Sequence, residues 1–169
     1  KVTTKTLLAA HDIPVPAGLV IKRGERVTHV QALLSAKLRW PVVVKPASEG
    51  STIGVSIVKK PAQWNPALSL AHRYDRDAMM EAYIPGHEVT VSLLGRENET
   101  PLVLPAVEIV APGGFYDFSA KYEKGKTQYL CPAPLSAAVT KEIRELALRA
   151  FEVLGCAGAA RVDFRVTPR

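Results

Sequence analysis

The sequence predicts an α+β protein with mainly antiparallel sheets, and three observations lead there. Short β-branched or alternating runs are joined by polar, turn-forming links over 41–58 and 87–110, the pattern of hairpins. Helical periods stand apart from them, most clearly over 136–154, and do not alternate strictly with the strands. Neither GxGxxG nor GxxxxGK followed by Ser or Thr occurs, so the usual strand-to-helix phosphate cradles are missing.

Taken in order, Val2 to His11 reads as a short helix stopped by Ile13-Pro14-Val15-Pro16, because proline disfavours helical geometry in the residue before it. Leu19-Val20-Ile21 has strand character. Thr28 and Gln31 have capping-box spacing, and Val30, Leu33, Leu34 and Leu38 would share one helical face. Pro41 to Pro46 is a β-branched strand, ASEGSTIG (47–54) a polar loop with two glycines, and Val55 to Val58 a returning strand. Asn65-Pro66 suits a cap followed by the first helical position, with Leu68, Ala71 and Tyr74 on one face. Ala78 to Ile84 is a strand ending at the turn signal Pro85-Gly86. His87 to Leu94 alternates Glu88, Thr90 and Ser92 against Val89, Val91 and Leu93, and Leu102 to Val110 follows as one more strand. Residues 111–127 combine glycine, charge and aromatics without a period, which predicts a long loop. Ser136 opens a helix with the stripe Val139, Ile143, Leu146, Ala150 and Leu154, and Gly155 can close it. Ala159 to Val166 is the last strand, with Arg161, Asp163 and Arg165 on one face.

Composition narrows the function. The chain has 169 residues, 22 Lys and Arg against 16 Asp and Glu, and 47% apolar residues, which is globular composition. The net charge of +6 makes nucleic acid a partner to consider. The bases are scattered, however, and aromatics are only 7%, poor material for stacking platforms. No apolar run approaches the ~18 residues of a membrane span, and the N-terminal stretch lacks the form of a signal peptide. The two cysteines match no zinc or CxxC spacing. No GxSxG elbow occurs, so nucleophilic hydrolase chemistry has no support. The expectation is a cytoplasmic protein with no nucleic-acid or membrane partner.

The residues that remain point to an anionic small ligand. Lys45 ends an apolar strand, where a buried ammonium needs an anionic partner, either a neighbouring acid or a ligand. The loop that follows offers small residues and the hydroxyls of Ser51 and Thr52 to a phosphate. Glu81 and Glu88 flank the Pro-Gly turn and could accept hydrogen bonds from an amino group and a ribose. Lys121, between Tyr116 and Tyr122, suits a lid that carries a cation to a phosphoryl group. Asp163 alone is a poor Mg²⁺ site, since Mg²⁺ requires octahedral oxygen coordination.

In this order along the chain, PVVVKPASEGSTIGVS (41–56), MEAYIPGHEVTVSLLG (80–95), GGFYDFSAKY (113–122), TQYLCPAPL (127–135) and GCAGAARVDF (155–164) resemble the D-alanine–D-alanine ligase branch of the ATP-grasp family. The resemblance implies the ATP-grasp fold, with a central nucleotide-binding subdomain over 1–86 and the first part of the C-terminal subdomain over 87–169. It makes 111–127 a mobile loop. It implies phosphate contacts from Lys1 and Lys45, and from the loop Glu49, Gly50, Ser51 and Thr52. The adenine hinge falls on Glu81 and the backbone from Ala82 to Ile84, and the ribose acid is Glu88. Phe115, Lys121 and Tyr122 belong to the closing loop, with Tyr122 bonded toward Ser51. Arg161 becomes the arginine that stabilises the tetrahedral intermediate, and Asp163 the first metal ligand.

The implied cofactors are ATP and Mg²⁺, with Mn²⁺ as a substitute, and the implied substrate is D-alanine. The implied parent is a homodimer that feeds peptidoglycan synthesis. The family's E-x-N-T-x-P-G-M motif, which supplies the remaining metal ligands, does not occur before Arg169, and the family's N-terminal domain has no counterpart here. The chain therefore reads as a piece truncated at both ends. Two alternatives stand beside that reading: a non-catalytic ATP-binding fragment, and an ATP-grasp ligase with another amino-acid substrate.

Overall fold

The computed structural model describes residues 1–96, 99–111 and 127–167. The chain separates into two compact units. One comprises Lys1–Val2 and Pro16–Tyr83, the other Thr3–Val15 and Ile84–Arg169.

The first unit is a four-stranded antiparallel sheet in the order β1-β4-β2-β3, made of β1 (Gly18–Lys22), β2 (Val42–Pro46), β3 (Ser56–Val58) and β4 (Asp77–Ala82). Val42, Val44 and Met80 are fully buried on one sheet face, where Val44 sits opposite Met80. Helix α3 (Trp64–Tyr74) adds Trp64, Ala67 and Ala71 to this core, and α2 (His29–Ser35) adds Ala32. The hairpin expected over 41–58 is present as β2 and β3. The Thr28–Gln31 capping box forms in both directions.

Three expectations are corrected in this unit. Leu34 is 73% exposed and Val30 is also exposed, so of the stripe expected on α2 only Leu33 and Leu38 pack against the core, beside the fully buried Ala32. Helix α3 starts at Trp64, one residue before the proposed Asn65 cap, because a 3₁₀ turn over Pro61–Gln63 feeds directly into it. Tyr74 lies at its exposed end.

In the second unit, α1 (Val2–Ala10) buries none of its residues. The sheet is built on β5 (His87–Gly95). Its strand β9 (Gly158–Val166) pairs along the whole of β5. The other edge of β5 takes β6 (Leu102–Val103) and β7 (Val107–Val110), and β8 (Gln128–Leu130) follows β7. The expected strand 102–110 is thus two strands: Pro105 lies between them and has no N–H for a ladder. Strand β8 is too short and too exposed to have left a pattern. Val89, Val91 and Leu93 are fully buried against α4 (Ala137–Val153), as the alternation requires. The buried residues of α4 are Ile143, Ala147, Ala150 and Phe151, a stripe displaced from the expected Leu146 and Leu154. Gly155 at φ 61 ends the helix as expected, and Cys156 N–H donates to the Phe151 carbonyl at 3.0 Å.

Gly86 opens β5 at φ 120, a region essentially closed to other residues, and a Cβ there would meet the Val166 carbonyl and lie 2.9 Å from Thr167 Cα. Gly86→Ala is therefore expected to cost about 2 kcal/mol or more, read as a lower urea midpoint with an unchanged slope.

Candidate functional site

In the first unit, polar groups gather around the end of β2 and the turn that follows. Glu81 on β4 is only 5% exposed, and its carboxylate is ion-paired with Lys45 Nζ. The neighbouring acid expected as one partner for Lys45 is thus Glu81, held across the β2–β4 ladder. Lys1 donates through Nζ to the Pro46 carbonyl at 2.9 Å and to the Glu49 carbonyl. Partial burial of its ammonium and the Lys45 charge lower the Lys1 pKa; Asp75, Glu49 and Glu81 offset only part of this. An ammonium disfavoured by burial and by a neighbouring cation leaves room for compensation by a bound polyanion.

The turn itself departs from ordinary backbone geometry. Ser51 and Thr52 have φ of 48 and 61, left-handed values that cost a β-branched residue free energy. Such strain concentrates at ligand-binding loops. Gly54 at φ 69 packs so closely that a Cβ would lie 2.8 Å from Pro46 Cγ. The base of the turn is tied to the end of α3: Asp75 Oδ2 accepts from Ser48 N–H at 2.6 Å and Oδ1 from Asp77 N–H at 3.2 Å. Asp75 carries no local signal in the sequence, because it follows a helix and lies far from the loop along the chain. Of the expected hinge, Ala82 N–H donates to the Ala17 carbonyl at 2.8 Å.

In the second unit, the β5/β9 register makes one polar strip from two strands. Glu88 lies opposite Arg165, Thr90 opposite Asp163, and Ser92 opposite Arg161. Thr90, 7% exposed, donates its hydroxyl to Asp163 Oδ1 at 2.8 Å. Arg161 Nε lies 2.9 Å from the same oxygen, and its Nη2 donates to Oδ2 at 3.2 Å. Arg165 donates from Nη1 to Glu88 Oε2 at 3.3 Å and from Nε to the Ile84 carbonyl at 3.2 Å. The sequence motifs mark neither Thr90 nor Arg165 as a site residue. Their alternation with the core residues was the available signal, and only the register joins the two halves. Phe115, Lys121 and Tyr122 lie outside the described residues.

The residues present fit the groups that the motifs imply. Mg²⁺ usually takes one or two carboxylates plus substrate phosphates and keeps its waters, rather than occupying an all-protein cage. Asp163, its side chain 55% exposed and held by the Thr90 hydroxyl and the Arg161 guanidinium, offers one carboxylate to such a set. Among the described residues no cluster of three or more His, Cys, Asp or Glu could form such a cage. No helix among them is long and apolar enough to cross a membrane.

Known proteins resemble this chain in fold and sequence. The D-Ala:D-Ser ligase VanG from Enterococcus faecalis superposes with a TM-score of 0.83 at 31% identity, covering 99% of this chain and 48% of that one. The D-alanine-D-alanine ligase from Coxiella burnetii gives 0.81 at 32% identity, over 99% and 43%. The antiparallel sheets with flanking helices are thus an ATP-grasp fold. The family described as "D-ala D-ala ligase C-terminus" matches residues 7–169, and the chain belongs to it. The D-alanine–D-alanine ligase of Syntrophotalea carbinolica is 42% identical over 167 residues, 99% of this chain and 51% of that protein. The one from Alkalilimnicola ehrlichii is 44% identical over 161 residues, 95% and 49%. The chain spans about half the length of these curated relatives.

Asp75 gives the site a pH signature. Burial raises its pKa, but hydrogen bonds from the Asp77, Ser48 and Arg76 backbone and the Ser48 side chain outweigh this and hold it below 3.8. A depressed carboxylate contributes stability above its unfolded pKa and loses it as pH falls through the folded value. Wild type is expected to exceed Asp75→Asn in stability at neutral pH and to lose that advantage in strong acid, measured by urea unfolding across acidic pH.

Proposed function

We propose that the whole protein carrying this chain is an ATP-dependent ligase that joins two D-alanines through an acyl phosphate, for peptidoglycan precursor synthesis. The observation that carries this reading is the β5/β9 strip, which sets Glu88, Asp163 and Arg161 side by side in a chain of this family. In this reading residues 1–86 are the central nucleotide-binding subdomain and 87–169 the start of the C-terminal one. Lys1, Lys45 and the turn Glu49 to Gly54 hold the phosphates. Glu81 and the backbone from Ala82 to Ile84 serve adenine, and Glu88 serves the ribose. Phe115, Lys121 and Tyr122 close over the nucleotide, with Tyr122 bonded toward Ser51. The parent is proposed to be a cytoplasmic homodimer.

The chemistry places negative charge at two points. A D-alanine carboxylate oxygen bonds to the γ-phosphorus as the bond to ADP breaks. The amine of the second D-alanine then bonds to the acyl carbon, loses a proton, and expels inorganic phosphate. Lys1 and Lys45 suit the first charge, because burial strengthens electrostatic contacts and preorganised cations need little reorganisation. Arg161 suits the oxyanion of the second, with its guanidinium oriented by Asp163. When bound at Asp163, Mg²⁺ or Mn²⁺ would neutralise phosphate oxygens.

A second reading, a D-amino acid other than D-alanine as the acceptor, is favoured by the likeness to the D-Ala:D-Ser ligase structure. Both are tested with the full-length protein, ATP, and D-alanine with or without D-serine, with products identified by mass spectrometry. D-Ala-D-Ala with equimolar ADP is expected, and a mixed dipeptide in preference to it would support the second reading. Lys45→Ala should lower the rate by about 10²-fold or more. Unchanged turnover in that variant would remove Lys45 from the proposed machinery.

A further inference from the structure

We propose that Arg165 is the residue that fixes sugar recognition in the nucleotide site, by holding Glu88 and the hinge carbonyl of Ile84 with one guanidinium. The inference rests on the reading of Glu88 as the ribose acid. A carboxylate selects vicinal hydroxyls only if it is ionised and its plane is set, because each hydroxyl bond is directional. Glu88 lies on β5, whose ladder sets its backbone but not the plane of its carboxylate.

Arg165 restrains that plane. It sits directly opposite Glu88 in the ladder, so the register fixes its Cα. Its Nη1 donates to Glu88 Oε2 at 3.3 Å while its Nε donates to the Ile84 carbonyl at 3.2 Å. The pair is mostly buried, with 28% and 27% of the two side chains exposed, so solvent screens it less than a surface pair. The rigid fork of an arginine can serve both acceptors at once, which the single ammonium of a lysine cannot do in the same geometry. The two residues also border a cavity of about 230 Å³, whose other walls include Gly86, His87 and Glu108. There the His87 ring nitrogen Nδ1 lies 2.5 Å from Glu108 Oε1, so these two polar neighbours are paired with each other. Arg165 is thus a positioning residue: it acts through Glu88 and Ile84.

The test is nucleotide affinity, measured calorimetrically on the full-length protein with ATP and with 2′-deoxy-ATP, for wild type, Arg165→Gln, Arg165→Lys, Glu88→Gln and the double variant Glu88→Gln/Arg165→Gln. Arg165→Gln should weaken ATP about tenfold and 2′-deoxy-ATP much less, so that the preference for the ribose form collapses. Arg165→Lys should recover only part of that preference. The double variant should be no worse than Glu88→Gln, since both changes act on one contact. A general packing defect would weaken both nucleotides equally, and that result would overturn the proposal. So would wild-type preference in Arg165→Gln beside a lost preference in Glu88→Gln. Wild-type affinity and preference in Glu88→Gln would instead overturn the reading of Glu88, and the role of Arg165 with it. Should Arg165→Gln fail to fold, the double variant, which removes both charges, and Arg165→Lys make the same comparison.

Discussion

The antiparallel register between β5 and β9 is the constraint on which the second unit depends. Side chains alternate along a strand, so a slip of one residue would turn every polar group of the strip toward the core. The observed register puts Val89, Val91 and Leu93 wholly inside and Glu88, Thr90 and Ser92 on the other face. The same register sets Arg165 opposite Glu88, Asp163 opposite Thr90 and Arg161 opposite Ser92. Hydrophobic burial thus pays for the alignment, and the polar chemistry is assembled as a consequence of it. The slip that would dismantle the strip would also bury charges without partners, which is costly.

The first unit meets a different electrostatic demand. Its cations are partly satisfied from within: Lys45 by the buried Glu81, Lys1 by the carbonyls of Pro46 and Glu49. These contacts hold the ammonium groups where they are, while partial burial and, after it, the Lys45 charge lower the pKa of Lys1. The adjoining turn holds Ser51 and Thr52 in left-handed geometry, so free energy is also stored in the backbone. Asp75 anchors that turn from the end of α3 through Ser48. Preorganised charge and a strained, anchored loop are the two properties expected of a phosphate cradle that lacks a helix N-terminus.

Much of this was legible in the sequence because it is local. The capping box at Thr28, the hairpin over 41–58, the alternation of β5 and the helix closure at Gly155 each depend on residues a few positions apart. The family motifs carried the fold and most of the candidate residues. What escaped depends on distance along the chain. Asp75 reaches Ser48 across 27 positions, Thr90 reaches Asp163 across 73, and Arg165 reaches Glu88 across 77. Periodicity gave the faces of both strands but not which residue stands opposite which. The misplaced stripe on α2 has a related cause: Val30 and Leu34 have the right spacing, but the core is reached by the small Ala32 instead.

In the proposed function the β5/β9 strip is a face for a metal and a nucleotide, with Asp163 as a metal ligand. It is tested most directly by nucleotide-dependent Mn²⁺ binding, followed by electron paramagnetic resonance on the full-length protein and its Asp163→Asn variant. ATP is expected to create a Mn²⁺ site in the wild type, and the variant is expected to bind the ion at least about tenfold more weakly. Equal Mn²⁺ affinity in the two proteins would contradict it.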